Sequence, residues 1–240
     1  MDDTAQKERI AKYLARAGLC SRRDAERWVV EGRVSVNGRV LTTPAVLVGD
    51  DDKVVVDGKP VEAKNETRLW LYHKPPGLVT SHKDDQGRPT VFDMLPKKMP
   101  RVISVGRLDL NSEGLLLLTN DGGLARRLEL PSTGLPRRYR VRAHGKVNEK
   151  KLADLENGVV VDGVSYGKII ATPERQTGSN TWIDVTLFEG KNREIRKVMG
   201  HLGLDVNRLI RVGYGPFELG DLERGAVSEA APRSFKQFID

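Results

Sequence analysis

Asp109 and Arg107 stand two positions apart in a short polar loop, Gly106-Arg107-Leu108-Asp109-Leu110-Asn111-Ser112-Glu113, and Gly114-Leu115-Leu116-Leu117-Leu118-Thr119 follows at once. The leucine run is too short to cross a membrane and well sized for a buried strand, so it can hold the loop still. A fixed, ionised carboxylate beside a cation can act as a nucleophile or steady a developing positive charge. An Asx-type turn at Asp109, with Arg107 solvating the loop, would use the same residues without any chemistry.

The elements needed to position that loop are legible on both sides of it. Val102 to Val105 reads as a strand, and Asn120-Asp121-Gly122 as a turn whose Asp121 caps a helix through Leu130. Trp70-Leu71-Tyr72 is a strand broken by Lys74-Pro75-Pro76-Gly77, because neither proline can donate to a ladder. The polar stretch from Ser81 to Pro89 reads as a connecting loop with no catalytic role. In Arg137-Arg138-Tyr139-Arg140-Val141-Arg142 the alternation puts Tyr139 and Val141 on one side and Arg138, Arg140 and Arg142 on the other. Such a cationic face is either a phosphate track or a strand edge protected by charge.

Further on, Asn148 caps a short helix that turns Leu152 and Leu155 inward and stops at Gly158. Strands are expected at 159–161, 166–171 and 181–188. A helix follows with Ile195, Val198, Met199 and Leu202 on one face, then a final strand from Val206 to Tyr214. The expected architecture is α+β, a mainly antiparallel mixed sheet with flanking helices, running from residue 68 to 240.

A smaller unit precedes it. Residues 7–17 put Ile10, Leu14 and Ala17 on one helical face, and a second helix starts at the N-cap Ser21, with Trp28 and Val29 as apolar surface and Gly32 as its stop. Val34 to Val36, the Asn37-Gly38 turn and Val54 to Val56 then read as short strands. Between residues 7 and 39 nine Lys or Arg face four acids, so the helical half is the basic half. Residues 62–67 are polar without periodicity, a linker between the 7–61 unit and the larger one.

The 240 residues carry a net charge of +7 with 30% charged residues, a globular profile that favours a polyanionic partner, although a simply basic solvated surface gives the same balance. A single cysteine, Cys20, rules out an intrachain disulfide and a Cys-based zinc site, and the four histidines form no close pair, so no metal or other cofactor is expected. The acidic start, Met1-Asp2-Asp3, resembles no secretion signal, and a cytoplasmic location is expected.

Gly106-Arg107-Leu108-Asp109, followed by Ser112-Glu113-Gly114-Leu115-Leu116 and Asn120-Asp121-Gly122, resembles the signature of ribosomal RNA pseudouridine synthases, in the group of small-subunit synthase A and large-subunit synthases B, E and F. Asn207-Arg208-Leu209-Ile210-Arg211 with Tyr214-Gly215 is similar to the synthase B branch of that group. The resemblance implies that Asp109 is the catalytic carboxylate and that Arg107 occupies or supports the space left by an extruded base. It also implies that Tyr139 lies against that base, Lys191 pairs with Asp109, and Ile195 packs near the base. Arg137 and Lys191 stand where the family more often has Lys and Arg, which keeps both charges. The pattern Gly18 to Glu26 with Gly32 to Gly38 resembles the alpha-L module of ribosomal small-subunit protein S-four. That likeness implies RNA contacts by Arg22, Arg23, Arg27 and Arg33, and the larger domain adds Arg138, Arg140 and Arg142.

The activity so implied is isomerisation of one uridine in a ribosomal RNA stem-loop, most naturally a large-subunit precursor, by a monomer. Two alternatives share parts of the pattern. A catalytically silent protein would use the same basic module to bind structured RNA, and a glycoside hydrolase would pair Asp109 with Glu113 or Asp121. The charge suits a polyanion better than a neutral sugar, and aromatics are only 5% of the chain.

Overall fold

The computed structural model describes residues 7–49, 51–62 and 66–239. Residues 63–65, at the centre of the expected linker, and the first six, on which the reading of the N-terminus rests, lie outside them. The chain forms two compact units, one of residues up to Thr67 with 99–102 and 120–122, the other of 68–98, 103–119 and 123–240.

In the first unit β1 (Glu8–Arg9) leads into α1 (Ile10–Arg16), and α2 (Arg22–Val30) follows. The first helix begins three residues later than its apolar spacing suggests, because Glu8 and Arg9 pair with Val48 and Leu47 of a later strand. Ser21 caps α2 as expected, its hydroxyl oxygen accepting from the Asp24 N–H at 3.1 Å. The strands β2 (Val34–Val36), β3 (Arg39–Val40), β4 (Leu47–Val48), β5 (Val54–Val56) and β6 (Lys59–Pro60) complete the unit, with sheet order β3-β2-β5-β6 and β4 on β1. Asn37 and Gly38 both take the positive φ that a tight hairpin turn needs. The two helices close on these strands through Ile10, Leu14, Ala25, Val29, Val34, Val48 and Val54.

The second unit is built on a nine-stranded sheet. In chain order come β7 (Leu69–Lys74), β8 (Ile103–Val105), β9 (Glu113–Thr119), α3 (Gly122–Glu129), β10 (Arg137–His144), α4 (Glu149–Asp154), the small pair β11 (Val159–Val161) and β12 (Val164–Tyr166), then β13 (Ile169–Thr177) and β14 (Asn180–Leu187). The chain ends with α5 (Glu194–His201), β15 (Asp205–Tyr214), β16 (Phe217–Glu218) and β17 (Val227–Glu229). The order is β13-β14-β10-β15-β9-β7-β17, antiparallel except where β15 meets β9. The expected strand at 166–171 is divided at Gly167, whose N–H turns away to donate to Glu189 at 2.8 Å. Strand β17 pairs with β7 and lies in a stretch whose short, polar sequence carries no strand period.

Every residue of β9 is buried, which is why its leucines form a continuous run with no alternation. β7 takes one edge of β9, while the other edge is shared, β15 pairing at Glu113 and Gly114 and β8 at Leu117 to Thr119. The sheet therefore forks at the start of β9, and the loop carrying Asp109 enters there. Leu115 and Leu117 pack with Leu124, Leu128, Tyr214, Phe217 and Phe235 to hold the fork.

Candidate active site

The loop from Gly106 to Ser112 is fastened from all sides. Gly106 N–H donates to Glu129 at 2.7 Å, and the Thr80 hydroxyl donates to the Leu108 carbonyl at 2.9 Å. Gly77, freed for a turn at φ 87°, donates its N–H to Leu110 O at 2.7 Å, which gives the Lys-Pro-Pro-Gly break its place in the site. Beneath the loop Lys74 is fully buried, and its ammonium donates to the carbonyls of Pro75, Asp109, Leu110 and Ser112 at 2.8 to 3.3 Å. Burial pulls that ammonium down to about 8, against the attraction of Asp109 and Glu113. Arg196 of α5 reaches the Val206 and Asn111 carbonyls, tying the helix to the same loop.

So held, Asp109 opens on a cavity of about 650 Å³ lined by Arg107, Tyr139, Lys191 and Ile195, with Arg88, Arg137, Arg193, Glu194, Leu209, Arg211 and Tyr214 also in its wall. The volume is of the size that takes a small ligand or one extruded nucleotide. The Asp109 side chain keeps 33% of its surface exposed, so it is reachable. Tyr139 and Ile195 are buried and present apolar wall, while Arg107 is exposed at the rim. All five residues expected around a substrate are thus brought to one cavity.

Their pairing differs from the expectation. The cation that meets Asp109 is Arg193, Nη1 to Oδ2 at 3.6 Å. Lys191 instead pairs with Glu189 at 2.7 Å, donates to Ser165 O at 2.7 Å and lies over the Tyr166 ring. The reason is local: Arg193 adopts a left-handed backbone, φ 52°, at the entry to α5, and the turn sends the two cations of Lys191-Asn192-Arg193 to different partners. Glu194, the first residue of that helix, is buried, its Oε1 without a hydrogen-bond partner among the described residues and its Oε2 accepting from the Lys191 N–H at 2.9 Å.

Strand β10 alternates as its sequence indicates, with Arg138, Arg140 and Arg142 on the side away from Tyr139. That face is less free than the local charge count suggests. Arg138 pairs with Glu218 of β16, and Arg140 with Glu174 of β13 at 2.5 Å, acids on strands one step removed from β10 in the sheet. In the N-terminal unit Arg33 forks onto Asp57 at 2.6 and 2.9 Å and covers Trp28, while Arg27 pairs with Asp24 and Glu31. Arg22 and Arg23 are exposed.

The larger unit is thus a mixed sheet that forks to hold a carboxylate loop, and a small basic helical unit precedes it in the chain. Residues 68–201 match the RNA pseudouridylate synthase family and residues 8–54 the S4 domain, and the chain belongs to the RNA pseudouridine synthases. It is 49% identical over 222 residues to an RNA pseudouridine synthase of Rickettsia felis, covering 92% of this chain and 96% of that one. It is 45% identical over 230 residues to ribosomal large subunit pseudouridine synthase B of Salmonella typhi, covering 92% of this chain and 79% of the other. The crystal structure of a pseudouridylate synthase shares the fold, with a TM-score of 0.67 at 24% identity over 96% of this chain and 99% of that one.

Proposed function

We propose that this enzyme converts a uridine of large-subunit ribosomal RNA to pseudouridine, with Asp109 as its catalytic carboxylate. The observation that carries the proposal is an accessible Asp109 in a cavity of nucleotide size, with Tyr139 and Ile195 as apolar wall and Arg193 as counter-ion. A base inside a stem must leave its stack to be reached, and Tyr139 replaces part of that stacking while Arg107 supports the space left behind. Lys191 contributes charge at the rim. The relatives named for the large subunit favour that ribosomal RNA.

The N-terminal unit supplies affinity by tethering, with Arg22 and Arg23 directed at phosphates. The enzyme acts on a stem-loop as a monomer in the cytoplasm. The test is to treat unmodified ribosomal RNA with wild type and Asp109→Asn and map pseudouridine by carbodiimide-dependent reverse-transcription stops. Wild type should create a stop at one position, and Asp109→Asn should bind the same RNA without creating it. A wild-type protein that binds RNA and leaves every uridine unchanged would decide for the silent binding protein.

A further inference from the structure

Three cations of the catalytic unit are buried to more than nine-tenths: Lys74, Arg137 and Arg211. Lys74 is saturated by four carbonyls. Arg137 donates to the carbonyls of Leu135, Phe188 and Glu129 and to the Tyr214 hydroxyl. Arg211 is different. Its Nε donates to Leu115 O at 2.7 Å, its guanidinium lies over the Tyr214 ring, and its Nη2 is buried with no hydrogen-bond partner among the described residues. No carboxylate among the described residues forms an ion pair with it.

A buried guanidinium donor with nothing to donate to is uncommon in a folded protein and needs a cause. Arg211 lines the same cavity as Asp109, and across the sheet it is the direct partner of Tyr139 on one side and of Gly114 on the other. We infer that Arg211 is a catalytic residue whose guanidinium, held by no carboxylate among the described residues, donates to a carbonyl oxygen of the uracil and stabilises that base while it is detached from the ribose.

The inference rests on the proposed activity, and the chemistry supplies its reason. The N1–C1′ bond breaks with its electron pair leaving on the uracil, whose N1 and two carbonyl oxygens share the negative charge. An Asp109 oxygen bonds to C1′ in its place. After the base turns, C5 bonds to C1′ and expels the carboxylate, C5 loses its proton and N1 gains one, so substrate and product are isomers. The charge on the base exists only between the two bonds to C1′, and a fixed cation in a low-dielectric wall acts most strongly on charge that develops there. Arg193 serves the carboxylate and Arg211 the base.

The test compares wild type, Arg211→Met and Arg211→Lys on the same unmodified ribosomal RNA, measuring single-turnover conversion, RNA affinity by filter binding across a salt series, and thermal melting. Arg211→Met, which keeps the apolar stem, should lose roughly a hundredfold or more in rate with RNA affinity within about threefold of wild type. Arg211→Lys should fall between the two, and it carries the test if the methionine variant does not fold. Wild-type rates in the folded variant would overturn the inference while leaving the proposed activity intact. A loss of affinity matching the loss of rate, with a shallower salt dependence, would also overturn it, because it would mark a phosphate contact. A wild type that modifies no uridine would remove the activity and the inference together.

Discussion

Gly114 packs against the backbone of Arg211 so closely that a Cβ there would collide with the Arg211 carbonyl oxygen and stand 2.7 Å from its N. This is the one parallel strand pairing among the described residues of the sheet, it lies two residues after the end of the loop that carries Asp109, and Gly114 also takes φ 103°, which side chains rarely adopt. Gly114→Ala should therefore destabilise by on the order of 3 kcal/mol, combining backbone strain with an overpacked strand pair. Urea unfolding of the two proteins checks it, and an unchanged midpoint would mean that β9 and β15 separate at no cost.

Lys74 is the interior support of the loop that carries Asp109. Lys74→Met keeps the stem but removes the ammonium from the carbonyls of Asp109, Leu110 and Ser112, of which the first two keep only the N–H groups of Ser112 and Gly77, at a cost of roughly 2–4 kcal/mol. Amide exchange should accelerate at residues 109–112 while β10 and β14 stay protected. Uniform acceleration across the sheet would show instead that Lys74 supports the whole domain.

Local pattern carried much of this architecture. The Asn37-Gly38 hairpin, the Ser21 and Asn148 caps and the alternation along β10 each rest on neighbours a few residues apart, and all are present. The five cavity residues were legible through family resemblance. Contacts that depend on distant pairing were not. Glu174 reaches Arg140 across 34 positions, and Arg211 becomes a cavity residue only through the meeting of β9 and β15. Between Lys191 and Arg193, charge and spacing are equivalent, and a single left-handed backbone decides which one meets Asp109.

That choice has a kinetic consequence. Removing the Arg193 guanidinium should slow single-turnover conversion by about tenfold, a modest figure because the pair is half exposed and screened. Lys191→Ala should cost less, since Lys191 is engaged with Glu189 and Ser165. Measuring both variants at saturating RNA separates them. The reverse order would show that Lys191 leaves Glu189 and moves to Asp109 once RNA is bound.

Glu194 makes stability depend on pH near neutrality. Burial pushes its carboxyl from 4.5 up to about 7, and Glu189 pushes the same way, against the Lys191 N–H and the charges of Lys191 and Arg137. The folded protein thus holds this proton more tightly than the unfolded chain does. Its stabilising contribution is complete below about pH 4.5 and is lost as pH rises through 7, roughly 3 kcal/mol in all. Glu194→Gln keeps an acceptor for the Lys191 N–H and removes the titration. Melting temperatures taken from pH 5 to pH 8 should show wild type losing several degrees relative to this variant, and parallel curves would refute the assignment.

Arg22 and Arg23 are exposed at the start of α2 with no acid paired to them among the described residues, whereas Arg27 and Arg33 are committed to Asp24, Glu31 and Asp57. Phosphate contacts displace condensed counterions, so each one steepens the dependence of affinity on salt by about 0.7 to 0.9 in a log–log plot. Arg22→Ala with Arg23→Ala should accordingly weaken binding to ribosomal RNA and flatten that slope by roughly 1 to 2. Arg27→Ala should flatten it less, because its charge is already answered within the helix. On the proposed division of labour, affinity from the N-terminal unit and chemistry from the cavity, turnover at saturating RNA should be unchanged in all these variants. An unchanged salt slope in the double variant would move the RNA contact to another face of the unit.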